Sequence, residues 1–403
     1  MAASATTAPL GRGRRITVWT LVVLATVLAI VSILTTWVNR QMLDNTAWNK
    51  ATTQVIQDPQ VQSAIATYAV NELYANVNVG QALSDRLPSN LKPLGPLLAG
   101  GIEQAAPGAV KRLLARPRVQ QLFINASTVA HQKLINVLEN KTGYGISTGD
   151  GVVTLNLHEL VVELGTELGI PADALAKLPA DLGTVTLMKS SQLSAAQAGV
   201  RAVHVLSVWL LVGVLFLYGL AIYLARGARR ATLRNEGIGL VIVGLLVLVI
   251  RELAGNYITD ALATPGYTVA THHLWLIGTS ILGQIGGATL LYGIVVVIGA
   301  VFAGPTTYAV RARQALAPTM REHQGIVWGA VGLVYLLAIL WGGTHALRTW
   351  WGILLLGALI AAGVFALRQQ MLTEFPPESI GAPEQQAPAE QPPAEEAPAA
   401  PQT

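Results

Sequence analysis

Residues 226–251 read RGARRATLRNEGIGLVIVGLLVLVIR. Arg226, Arg229, Arg230 and Arg234 precede an uncharged run from Gly237 to Ile250 that Glu236 opens and Arg251 closes. Arginines next to an apolar run mark a membrane helix whose charged flank is held on the cytoplasmic side. Working outward, comparable runs lie near 16–38, 203–225, 237–256, 274–303, 326–343 and 350–367. Each has about 20 residues, enough for a ~30 Å hydrocarbon core at ~1.5 Å per residue. With 52% hydrophobic and only 12% charged residues, the chain is too apolar for an ordinary soluble protein.

The expected fold class is a mainly α-helical membrane protein: six transmembrane helices, with an α+β extracytoplasmic domain inserted between helices 1 and 2. Residues 1–15 read as a basic cytoplasmic N-terminus, and 16–38 as transmembrane helix 1. Residues 39–200 read as an extracytoplasmic helical domain with a small sheet. A five-helix transmembrane domain spans 201–368, and 369–403 is a Pro/Ala/Glu-rich cytoplasmic tail expected to be disordered because it has little apolar surface to bury. The first span reads as an uncleaved anchor. It is longer than the 7–15 apolar residues typical of a signal peptide, and its exit, Leu34 to Arg40, lacks an Ala-x-Ala site.

Arginine sets the expected orientation. Arg12, Arg14 and Arg15 precede the first span, and the Arg226–Arg234 cluster links the second and third. Arg311, Arg313 and Arg321 link the fourth and fifth, and Arg368 ends the sixth. Both termini are therefore expected in the cytoplasm, in the plasma membrane. All lysines, from Lys50 to Lys189, fall in the inserted segment. No cysteine is present, which excludes disulfides, thiol catalysis and zinc–thiolate sites.

In the inserted segment Asp58-Pro59 reads as an N-cap and N1 proline. It opens a helix over ~59–75 with Val61, Ala64, Ile65, Tyr68, Ala69 and Leu73 on its core face. A second helix starts at Pro117 and runs to about 140, with Val119, Leu122, Phe123, Ala126, Ala130 and Leu134 facing inward and His131 at the edge. Between them Pro88, Pro93, Pro96 and Pro107 predict short helices. Gly151–Leu155 and Gly183–Leu187 are β-branched and turn-flanked, and are expected to pair as strands around a helix opened by Asn156. Arg86, Lys92, Lys111, Arg112, Arg116 and Arg118 make one stretch basic, suited to anionic headgroups or wall polymers. The later stretch, which includes Asp150, Glu159, Glu163 and Glu167, is acidic.

Catalytic and cofactor motifs are weak. Glu159, Glu163 and Glu167 share a helix face at i, i+4, but no calcium-loop pattern accompanies them. His158-Glu159 lacks the second histidine of the zinc-protease helix. No cofactor, metal site or nucleic-acid partner is expected.

The membrane half is more informative. The uncharged run from Gly237 to Ile250 makes only ~21 Å of helix, short of the ~30 Å core, so Arg251 and Glu252 are expected to sit in the outer leaflet. His272, His273 and His345 map to the same boundary, where a polar vestibule would bind an ion, relay protons or receive the inserted domain. Gly283 and Gly287 form a Gly-x-x-x-Gly pair, expected to allow close helix packing in a fourth span of about 30 residues, tilted or overlong.

Several of these features together resemble a family of uncharacterised multipass membrane proteins of actinobacteria. They are the arginine-rich anchor, Asp58-Pro59-x-Val61-Gln62, the set Phe123, His131, Leu134 and Leu138, and Val153-x-Leu155-x-Leu157. Members often carry a Trp shortly after the Phe, where Ile124 and Asn125 stand here. The resemblance covers residues ~12–370 and implies a location without adding catalytic residues.

The functional expectation is a non-enzymatic integral plasma-membrane protein whose exported domain serves envelope organisation or sensing. Its partners would be membrane lipids and envelope proteins or wall polymers. A transporter or channel is the first alternative, although no inverted repeat or pair of broken helices is evident in the sequence. A membrane-embedded enzyme is the second. Reporters fused after Arg40 and after Arg229 are expected on opposite sides of the membrane; finding both on one side overturns the topology.

Overall fold

The computed structural model describes residues 11–139, 146–149, 152–156, 162, 165–166, 184–262, 264, 266–341 and 345–374. The chain is a mainly helical multipass membrane protein. Among the described residues, five helices are long and apolar enough to cross a membrane: α1 (Arg12–Met42), α7 (Ser190–Leu224), α8 (Arg229–Leu262), α10 (Ser280–Phe302) and α13 (Trp350–Glu374). A sixth crossing is reached only when α11 (Thr307–Glu322) and α12 (Gln324–Trp341), bent by 114° at their junction, count as one span.

The fourth span expected at 274–303 is not continuous. It divides into α9 (Thr268–Gly278) and α10, with Thr279 between them. The break at Thr279 thus exists where the sequence shows none, whereas the bend at His323 falls at the expected start of the fifth span. α10 alone, with 23 residues, is about 34 Å long and crosses the core without α9.

The third helix runs well past its uncharged stretch. α8 has 34 residues, about 51 Å, and carries Arg251 about 33 Å beyond Arg229. Glu236, which opens the uncharged stretch, is 4% exposed.

One buried cluster joins the membrane helices. Val18, Val22, Ala25, Ala29 and Ile33 of α1 meet Val214, Tyr218 and Ala221 of α7, Val243 and Val247 of α8, and Leu282 of α10. α1 is therefore part of the core, which its hydropathy alone does not require. Large apolar side chains such as Trp209, Leu253 and Leu340 point outward, as lipid-facing positions do.

Among the described residues the most extensive helix contact is between α8 and α10. A Cβ on Gly244 would lie 2.5 Å from Leu290 N, and one on Gly293 2.7 Å from Val241 N. Gly237 meets Val297 and Gly286 meets Val247 and Leu248. Gly237, Gly244 and Arg251 on α8 thus oppose Gly293 and Gly286 on the antiparallel α10 and Thr279 at its N-cap, both at seven-residue spacing. A heptad interval keeps two stripes facing each other along a left-handed crossing. Of the expected Gly283/Gly287 pair, Gly283 lies against α8 with its added Cβ 3.3 Å from the Arg251 guanidinium, and Gly287 is half-buried.

In the inserted segment α2 (Asn45–Gln57) follows α1 directly. α3 (Pro59–Asn76) opens as expected, with the Asp58 side chain accepting from Gln60 N and Val61 N. α4 (Val79–Arg86) and a 3-10 turn at Lys92–Leu94 lead into α5 (Gly95–Leu114), which runs through Pro107 rather than stopping there. α6 (Pro117–Leu138) matches its expected bounds.

The buried faces differ from the expected ones. α3 buries Val61, Gln62, Ala66 and Val70, while Tyr68 and Leu73 are exposed. Gln62 Nε2 donates to Ile56 O, and the Tyr74 hydroxyl donates to Ala99 O of α5. α6 buries Ile124, His131 and Ile135, while Leu122 and Phe123 are exposed. Its partner α2 presents hydrogen-bonding groups: Trp48 Nε1 donates to Ser127 Oγ at 3.0 Å and Asn49 Nδ2 to Thr128 Oγ1 at 3.0 Å. A polar helix interface turns the apolar stripe outward. His131 stacks on Trp48 with centroids 4.3 Å apart, at the centre of this contact rather than its edge.

Three strands, β1 (Ile146–Gly149), β2 (Val152–Asn156) and β3 (Thr184–Lys189), pair antiparallel in that order, with Leu155 opposite Val185. They have four, five and six residues, too few to give the inserted segment an α+β character in place of its helices. Most of the helix expected between β2 and β3, with His158, Glu159, Glu163 and Glu167, lies outside the described residues, as do Asp150 and the tail from 375.

Gly244→Ala is expected to lower stability by ~1–3 kcal/mol through overpacking, read from unfolding in detergent. Gly213→Ala on α7, where nothing lies within 4 Å, should be neutral or mildly stabilising. Equal stability of both variants would remove the α8–α10 contact as the organising one.

Candidate functional site

The α9–α10 break leaves carbonyls at the end of one helix and N–H groups at the start of the next, at a membrane boundary where each must find a partner. Arg251 supplies the donors. Its Nε donates to Thr279 O at 3.1 Å and to Thr279 Oγ1 at 2.9 Å, and its Nη2 donates to Leu276 O at 3.1 Å. A cation at a helix C-terminus also opposes the negative end of the helix dipole. Trp37 Nε1 donates to Gly278 O at 3.3 Å, and Trp275 Nε1 to Arg251 O at 2.9 Å. On the other side, Gln41 Oε1 accepts from Ile281 N at 3.3 Å, and its side chain is 3% exposed.

The inserted helices rest on this break. His273 Nδ1 of α9 donates to Asp58 Oδ2 at 2.7 Å, so the residue that caps α3 also holds α3 to the membrane half. His204 of α7 pairs with Glu139 at 3.2 Å, and Gln197 Nε2 donates to Val137 O at 2.9 Å. His131 Nε2 donates to Met42 O, the last residue of α1. Burial raises the Asp58 carboxyl, but the His273 hydrogen bond and the Val61 and Gln60 N–H groups outweigh it and hold the group below the usual carboxylate range.

The expected polar cluster is therefore divided. Arg251 closes the break and His273 receives the inserted domain. Glu252 is exposed and His272 half-buried. The His345 side chain lies outside those described, though its backbone forms a 3-10 turn to Arg348. Among the described residues, no three His, Asp or Glu converge closely enough to hold a metal ion. Of the roles considered for this boundary, receiving the inserted domain is the one the contacts match.

Comparison of the chain with protein-family models, with curated proteins and with solved structures finds no match. The site is read from its own geometry.

Three residues that matter escape the sequence reading. Gln41 looks like one of many polar residues at a span exit. Glu236 looks like a boundary charge, yet it is buried, with no hydrogen-bond partner for Oε1 among the described residues. Arg313 looks like a cytoplasmic marker, yet its side chain is 1% exposed. It forks onto Glu374 at 3.1 and 3.0 Å and donates to Phe302 O and to Gly304 O, the latter at 2.7 Å. An unbroken helix of acceptable hydropathy gives no signal for any of these contacts.

A carboxylate with a depressed folded pKa contributes stability above the usual range, lost as the pH falls through the lowered value. Domain seating is thus expected to hold at neutral pH and to loosen below about pH 4. Asp58→Asn keeps an N-cap acceptor but removes the charge. It should raise hydrogen exchange at the start of α3 and in α9 at pH 7 by an amount equal to ~1 kcal/mol or less, since both groups are partly solvated. Wild-type exchange in the variant would show that the pair carries no load.

Proposed function

We propose that the chain is a non-enzymatic plasma-membrane protein with both termini in the cytoplasm. In this reading segment 39–200 is an extracytoplasmic, mainly helical unit serving envelope organisation or sensing, and the chain is one of the actinobacterial multipass proteins it resembles. The arginine clusters support the orientation. Arg14 Nε meets Leu224 O at 2.6 Å, and Arg313 meets the end of α10, so these arginines gather at the end opposite Arg251 and His273.

One observation carries the role. The inserted helices are tied to the membrane half by polar contacts, while they leave exposed Leu97 at 75% and Tyr68 at 59%, with Leu73, Leu94 and Ile102. Exposed Arg86, Lys92 and Arg112 accompany these residues. An apolar surface bordered by cations, held on a fixed seat, suits binding of an anionic envelope component. The same seat would pass the binding event to α9 and Arg251.

A photo-crosslinking residue at Leu97 in intact cells is expected to yield a discrete envelope adduct, and one at lipid-facing Trp209 to yield lipid only. The transport alternative makes the opposite demand. A solute or ion flux in reconstituted vesicles that Arg251→Ala abolishes would overturn the proposal.

A further inference from the structure

A cavity of about 800 Å³ lies between α1, α2, α7, α10 and α13, within the ~300–1,000 Å³ range of small-molecule sites. Ile33, Leu211, Val214, Ile285 and Leu355 form its apolar walls. At the other end stand Arg40 of α1 and Lys50 of α2, both exposed, beside Gln41 and Gln54. No carboxylate is among the described residues lining it.

Three features define what fits. Along α1 the lining runs from Ala29 to Arg40, about 16 Å of helix, or half of a ~30 Å core. The cavity is therefore one leaflet deep, in the leaflet next to the inserted helices. Leu211, Leu215 and Leu355 are 52%, 63% and 62% exposed, so the wall between α7 and α13 is open to the bilayer. The charges at the mouth are both cations, and arginine and lysine favour phosphate oxygens.

We infer that this cavity binds one anionic phospholipid taken laterally from that leaflet, its phosphate against Arg40 and Lys50 and its acyl chains along the apolar wall. A soluble anion would have no use for the apolar depth, and an uncharged lipid none for the cations. The inference does not depend on which side of the membrane the inserted segment occupies. Two cations near a headgroup predict a preference of about tenfold or more for the anionic lipid.

The test uses the full chain, purified and exchanged into mixed micelles with equal phosphatidylglycerol and phosphatidylcholine, with bound lipid counted by native mass spectrometry. One phosphatidylglycerol per chain is expected, preferred about tenfold. Arg40→Gln with Lys50→Gln should bring the two lipids to near-equal retention. Ala288→Trp, which places an indole in the cavity, should remove the bound lipid. If that variant does not fold, Leu355→Trp at the open, exposed wall serves the same purpose. Equal retention of both lipids by the wild type, or unchanged selectivity and retention in the variants, overturns the inference.

Discussion

The structure depends on how helix ends are satisfied where water is scarce. A carbonyl left without a donor in hydrocarbon costs several kcal/mol, and this chain ends several helices at or near that environment. Side chains from distant positions close them. Arg251 takes Leu276 O and Thr279 O, Trp37 takes Gly278 O, Arg14 takes Leu224 O, and Arg313 takes Phe302 O and Gly304 O. Arg251 and Arg313 each reach more than one acceptor, which a planar fork does and a single ammonium does poorly. Here is a physical reason for arginine, rather than lysine, in the membrane half.

Arg251 reaches the break because α8 and α10 lie very close. Helices in lipid gain no hydrophobic drive from meeting each other, so dispersion contacts between backbones must supply it, and glycine permits them. The stripe Gly237, Gly244 against Gly293, Gly286 continues to Arg251 against Thr279. Gly283 leaves room for the guanidinium. The same register thus sets both the packing of the pair and the position of α9. Through His273 and Asp58 it also sets where the inserted domain stands.

Local signals were legible in the sequence and relational ones were not. The apolar runs, the Asp58 cap and the β2–β3 pairing need only neighbouring residues to be read, and the structure places all three where expected. The inward faces of α3 and α6 were misread because large apolar residues were taken as buried. There, Gln62, Ala66, Ser127 and His131 share the packing with Val61, Val70, Ile124 and Ile135. Gly278-Thr279-Ser280 contains no proline, and hydropathy passes through it unbroken, so the break becomes visible only once Arg251 is seen bonding there. The four-residue glycine spacing drew attention from the seven-residue one because the latter spans two helices that the sequence does not align.

The Arg251–Thr279 bond also bears on biosynthesis. As the chain is made, α8 emerges before α9 and α10, and for that interval the guanidinium has none of its three carbonyl and hydroxyl acceptors. At the membrane boundary the long side chain reaches water and headgroups, but in the finished fold it turns back to Leu276 and Thr279. Those acceptors belong to α9 and the break after it. The end of α8 is therefore completed only when the residues that follow it have been made and folded back, by a hydrogen bond that no single segment contains.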